Sequence, residues 1–262
     1  MVELPNALVL CASSPIVIKV LGPTADYLGN GIKNFVEKRI DNLTRVFRQA
    51  EKKLNARGNP SGEVPPRILK NIIDEASYIE NELLAEYYSG VLASAKSTQP
   101  RDDRSLVMLK ALNTMSNYEI RMHYILYRTY REIFLDSKKF NVLKSNEASK
   151  CLVFIPIEAM NELLAIQDGE NINQILEHAI LGLANRGLIG NNYRFGPADW
   201  MHKAHNTIEN AGLLTSPSSL GAQLYLTAHG YKGVSGNALC NSGLSMDNLD
   251  NITPSRLAFH VQ

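Results

Sequence analysis

Cysteine is scarce in this chain: Cys11, Cys151 and Cys240 are odd in number, far apart in sequence, and form no CxxC pair. That excludes a disulfide framework or a thiolate metal clamp, and makes a reducing compartment with small buried thiols the expectation. Long apolar runs are absent too. No stretch approaches the roughly 18–20 apolar residues that cross a bilayer. The apolar N-terminal segment 1–22 is interrupted by Pro5, Pro15 and Lys19 and lacks a basic start, unlike a signal peptide. A cytoplasmic protein without a membrane span is expected. Net charge is only +1, so no global field argues for nucleic acid or an anionic membrane. Also missing are a Gly-rich phosphate loop, a nucleophile elbow, a His-Glu-x-x-His zinc signature and any cofactor fingerprint. No cofactor is therefore expected. No recognisable catalytic motif is present, and residue chemistry alone does not name a reaction.

What is present is helical periodicity. At 262 residues the chain can bury a full core, and its 45% apolar and 20% charged content is ordinary for a globular protein. The expected fold is mainly α: an N-terminal helical bundle over 23–140, then a small α+β winged-helix-like module over 151–230. An irregular, Gly/Asn/Ser-rich tail over 231–262 follows. The clearest signal is Glu80–Ala95, where Leu83, Leu84, Tyr87, Tyr88, Val91, Leu92 and Ala95 share one helical face. Ser77-x-x-Glu80 reads as its capping box, and Ser116-x-x-Glu119 as that of the next long helix, to Phe134. A long basic helix over about 24–54 precedes them. Its cationic face is expected to pair with the acidic run Asp74, Glu75, Glu80, Glu82 and Glu86.

Charge divides unevenly: residues 1–150 hold 22 Lys/Arg against 17 Asp/Glu, and residues 151–262 hold 5 against 9. The polar, lysine-bearing segment 136–150 marks the boundary. Beyond it, Cys151–Ile155 reads as a strand stopped by Pro156, and Ile172–Leu183 as an amphipathic helix closed by Gly187. Residues 188–189 and 193–195, around Gly190-Asn191-Asn192, read as a hairpin or wing. Further helices are expected over 197–211, closed by Gly212-Leu213-Leu214, and over 220–229. The rhythm resembles winged-helix domains, but the candidate recognition helix carries Arg186 as its only cation, which favours protein contact over DNA.

Candidate chemistry is thin. Asp102 and Asp103 are paired carboxylates flanked by arginines, and one of them is expected to cap a helix over 105–115. His123 is a candidate base, with a satisfied core histidine as the alternative. These three are the catalytic candidates. Nucleic-acid candidates are Lys38, Arg39, Arg45, Arg48 and Lys52 on the basic helix, with Arg121, Arg128 and Arg131 interleaved among Tyr118, Tyr124, Tyr127 and Tyr130. Asp199, His202 and His205 recur every three residues on one expected helix and could approach a zinc ion, without an evident fourth ligand. Arg256–His260 invites comparison with an Arg–His nuclease pair but is too closely spaced.

One set of segments goes further. It runs through Leu21-Gly22-Pro23-Thr24-Ala25-Asp26-Tyr27-Leu28-Gly29, Val64-Pro65-Pro66-Arg67-Ile68-Leu69 and Asp74-Glu75-Ala76-Ser77. It continues through Leu84-Ala85-Glu86-Tyr87, Gly90-Val91-Leu92-Ala93-Ser94, Arg101-Asp102-Asp103-Arg104 and Ile120-Arg121-Met122-His123-Tyr124-Ile125. It closes with Leu220-Gly221-Ala222-Gln223-Leu224-Tyr225 and Ala228-His229-Gly230. Over roughly 20–230 the chain resembles the Abi-alpha family of bacterial abortive-infection proteins. The resemblance implies phage defence, but no catalytic residue, cofactor or reaction. Expected action is through protein contacts, with a protein partner or self-association. The alternatives are a nucleic-acid-binding module and a nuclease-type effector.

Overall fold

The computed structural model describes residues 24–58, 60–99, 101–252 and 258–261, with side chains from Glu37 onward. The apolar segment 1–22, Cys11 and Arg256 lie outside the described residues. Helices dominate, and a small antiparallel sheet is packed beside them.

Helix α1, Thr24–Ala56, is 33 residues long, about 50 Å at 1.5 Å per residue. Pro66 opens α2, Pro66–Ala76, where its missing N–H costs nothing. Helix α3, Glu82–Ala95, is buried on nearly all sides and is the axis of the bundle. It is packed against α1, α2, the short α4 (Leu106–Leu112) and α5 (Asn117–Ile133). Ser77 does not cap α3. Asn81 does, its side chain accepting from the Leu84 N–H at 2.9 Å, because residues 77–81 run as a turn and extended link that buries Ile79. Ser77 instead receives Arg39 at 2.8 Å. The Ser116/Glu119 box of α5 forms as expected. Neither Asp102 nor Asp103 caps α4 with its side chain. The first N–H groups go to backbone carbonyls, Leu106 to Asp103 at 2.9 Å and Val107 to Arg104 at 3.2 Å.

After a single turn, α6 (Ser145–Ala148), the chain enters the sheet module. Its elements are β1 (Val153–Pro156), α7 (Ile157–Leu163), α8 (Ile172–Asn185), β2 (Arg194–Gly196), α9 (Ala198–Ala204), β3 (Gly212–Thr215) and α10 (Ser219–Ala228). A 3₁₀ turn, Gly236–Cys240, and β4, Phe259–His260, complete the described chain. Strand order is β2-β3-β1-β4, all antiparallel, with Phe154 opposite Leu214 and Phe259 on either side. Alternation along β1 sends Val153 and Ile155 into the main core and Phe154 into a small second cluster with Met201, Ile208, Leu214 and Val261.

The turn after α8 is as expected: Gly187 takes φ +66°, its N–H donating to Ala184 and that of Leu188 to Leu183. The expected wing does not form. Ile189 bridges Pro217, and β2 pairs with β3, because the apolar Gly212–Thr215 run is a fully buried strand rather than a helix end. Helix α9 correspondingly stops at Ala204.

Bundle and module share one continuous core running from Val46 to Ile252. Helix α10 is the shared piece, packed on both α3 and α5. Two glycines allow that approach: a Cβ at Gly90 would lie 2.2 Å from the Ala228 carbonyl oxygen, and one at Gly221 would lie 2.1 Å from the Tyr127 hydroxyl. The 231–252 stretch of the tail has little regular structure but is packed, with Leu239, Cys240 and Ile252 buried.

Candidate functional site

A fully buried polar group of the bundle is His123 on α5. The Gly221 carbonyl lies 3.1 Å from its Nε2, and a carbonyl can only accept, so Nε2 carries the proton. Nδ1 then accepts the Tyr87 hydroxyl at 2.7 Å. The ring of Tyr127 lies over it at 4.6 Å, and burial pushes the imidazole pKa down to about 3. His123 is thus neutral, fully hydrogen-bonded and shut away from any substrate. A general base must touch the proton it takes, and this one touches only the core. Around it, Tyr127 donates to the Leu188 carbonyl at 2.7 Å and accepts the Ser218 N–H at 2.9 Å. Tyr124 accepts the Leu249 N–H at 2.9 Å.

The arginines of α5 are tied to the tail and the module. Arg121 donates to the Leu163 carbonyl at 2.7 Å and pairs with Asp250. Arg131 donates to the carbonyls of Asn241 at 3.0 Å and Leu244 at 2.7 Å, and also to that of Leu239. Arg128 lies beside the hydroxyls of Tyr124 and Tyr225. Arg121, Tyr124 and Arg131 therefore hold residues 239–250 against α5, while Tyr127 holds Leu188 and Ser218. Glu119, buried at 2% exposure, both completes the α5 cap and holds Arg186 at 2.7 Å, binding α8 to the bundle.

Asp102 borders a cleft between α4 and α10. Its carboxylate meets Arg104 at 2.8 Å and Lys232 at 3.0 Å, and the hydrogen bonds from these two cations hold its pKa below the usual carboxylate range. Asp103 lies 3.7 Å from Arg67, both exposed. The two acids have separate cationic partners and share no site.

On α1 the expected pairing is made with Glu80, Glu82 and Glu86, while Asp74 pairs instead with Lys70 on α2. Lys38 meets Glu80 at 2.6 Å, Arg45 meets Glu82 at 3.4 Å, and Lys53 meets Glu86 and Ser89. Arg39 covers the Tyr78 ring at 4.0 Å. These pairs differ in weight. Lys38 and Glu80 are mostly exposed, a setting worth about 0–1 kcal/mol. Lys53 is buried enough that desolvation outweighs the attraction of Glu86 and lowers its pKa. Arg48 and Lys52 face solvent.

Asp199, His202 and His205 do not share a helix face, because α9 ends before His205, whose backbone is extended. The carbonyl of Ile208 lies 3.2 Å from the His202 Nδ1, and the Thr207 hydroxyl lies 2.9 Å from that of His205. Among the described residues no group of three or more His, Cys, Asp or Glu could hold a metal.

The remaining feature is one that sequence reading passed over. Between α8, β2 and α9 runs a groove of about 460 Å³, walled by Ile180, Leu181, Tyr193, Phe195, Trp200 and Met201, with Glu177 and Arg194 beside them. Trp200, the chain's single tryptophan, is 63% exposed and Leu181 43%. Such exposure of a large ring carries a hydration cost that a covering partner would remove. Strand β2 is an edge strand of the sheet, and its Arg194 and Phe195 line the groove. The available signal was α9 itself: in Ala198–Ala204 only Met201 is buried, so Trp200 falls off the apolar period. Among the described residues no helix is long and apolar enough to cross a membrane. Comparison with known protein families, with curated proteins and with solved structures finds no match for this chain.

Proposed function

We propose that this chain is a bacterial phage-defence protein of the abortive-infection kind, resembling Abi-alpha, that acts through protein contact at the α8–β2–α9 groove. The supporting observation is the exposed Trp200, beside Leu181 and the edge strand β2. Each of the polar candidates Asp102, Asp103 and His123 is already engaged within the fold. The occupant is an extended segment of a partner protein. Its backbone adds to β2, its alternate apolar side chains cover Trp200 and Leu181, and a carboxylate meets the exposed Arg194. Aromatic anchors of this kind dominate binding energy at protein interfaces.

The test is induced expression of the full chain in a bacterium challenged with phage, comparing wild type with Leu181→Glu. A carboxylate at this exposed position leaves the fold intact and places an unpaired charge in the covered interface. Loss of protection with unchanged melting is expected. Full protection by the variant would overturn the groove assignment, and no protection by the wild type would overturn the defence reading.

A further inference from the structure

The lysine-bearing boundary segment forms part of a second concavity, about 710 Å³, where the end of α5 meets β1 and β4. Phe134, Leu152 and Val261 give it an apolar floor. Lys138, Lys139 and Lys150 stand on its rim, all exposed, with His205 and His260 beside them. The one carboxylate lining it, Glu147, is already engaged by Lys144 at 2.9 Å and by the Asn141 amide at 2.8 Å. None of the three rim lysines lies within ion-pair distance of a carboxylate among the described residues, although Lys150 adds to the attraction that Lys144 exerts on Glu147.

Three cations thus stand around a concavity whose one lining carboxylate is already paired. Three ammonium groups around a concave, partly apolar wall give the pocket a positive field. The rim is held from beneath. His260 Nε2 donates to the Lys150 carbonyl at 3.1 Å, and Cys151 Sγ lies 3.7 Å from the Lys139 carbonyl. The β4–β1 pairing and the Val261 N–H on the Leu152 carbonyl at 2.9 Å fix the floor. The pocket volume lies within the roughly 300–1,000 Å³ of small-ligand sites.

We infer that this pocket binds a small ligand bearing two or three phosphates, whose charge the three lysines neutralise as point charges. It is separate from the Trp200 groove and from the basic face of α1, and it does not depend on the defence reading.

Isothermal titration of the full chain with ATP and with inorganic tripolyphosphate, at low and at physiological salt, tests the inference. One-site binding that weakens with salt is expected. The Lys138→Gln/Lys139→Gln/Lys150→Gln variant should bind at least tenfold more weakly with unchanged melting, because all three side chains are exposed. Lys110→Gln, at an exposed position of α4, should bind as wild type. Tighter binding of ATP would assign a nucleotide, and equal or tighter binding of tripolyphosphate a phosphate chain alone. Absence of binding by both probes at low salt, or wild-type affinity in the triple variant, would overturn the inference. So would a single-stranded oligonucleotide that binds through these lysines and is displaced by neither probe.

Discussion

Helix α5 and the α8–β2–α9 corner both mix aromatic rings with charged side chains, and they dispose of them in opposite ways. On α5, Tyr124, Tyr127 and Tyr130 are fully buried, and Arg121 and Arg131 are consumed by carbonyls and a carboxylate of neighbouring segments. At the corner, Trp200 and Leu181 stand in solvent over a groove, and Arg194 is exposed. Composition would rank α5 as the binding surface; geometry points to the corner. Aromatic and cationic content marks a site only where the fold leaves it uncovered, since a buried ring with a satisfied hydroxyl serves the core equally well.

That contrast can be stressed experimentally, beginning with the core. Tyr127→Ala removes a buried ring together with hydrogen bonds to Leu188 and Ser218, and should cost about 3–5 kcal/mol. The expected fall in Tm, by calorimetry, is about 6–10 degrees for a chain of this size. Arg186→Ala leaves Glu119 buried without its partner and should cost about 3 kcal/mol in urea titration. Glu119→Gln with Arg186→Ala should recover part of that loss, because the buried charge is then gone as well.

Acid loads the same core gradually. His123 and His229 are held neutral by burial, with pKa values down to about 3 and about 4 against an ordinary value near 6.5. The unfolded chain takes up these two protons first as pH falls. Stability is therefore full above about 6.5 and is lost as pH drops toward 4, at about 1.4 kcal/mol per unit for each histidine. His123→Phe should flatten that part of the Tm–pH curve; a curve unchanged in slope would remove His123 from this account. At the other extreme, Trp200→Ala should change stability by less than about 1 kcal/mol, since most of the ring is already in water.

Much of the bundle was legible because periodicity and capping act locally. The Ser116/Glu119 box, the apolar face of α3, the Gly187 turn and the α1–α3 charge pairing all depend on residues close in sequence or on complementary runs. Elements set by distant partners were not. The Gly212–Thr215 run reads as a helix end until β1 and β2 flank it, and Ser77 reads as a cap until Arg39 takes its hydroxyl. The tail from 231 reads as irregular because its order is supplied by Arg131 and Arg121, more than 100 residues earlier. At the level of sites, Asp102 and His123 stood out by residue type, whereas Trp200 offers only its place off the apolar period of a short helix. Its exposure follows from the short length of α9 and the edge position of β2, neither of which is local.

The most direct measurement sets the two kinds of candidate against each other in one assay: protection from phage by Trp200→Ala and by Asp103→Ala, each matched to wild type in Tm and abundance. Loss of protection with Trp200→Ala and retention with Asp103→Ala is the expected result. Retention with Trp200→Ala and loss with Asp103→Ala would contradict it and make the acidic pair, rather than the groove, the working part of the molecule.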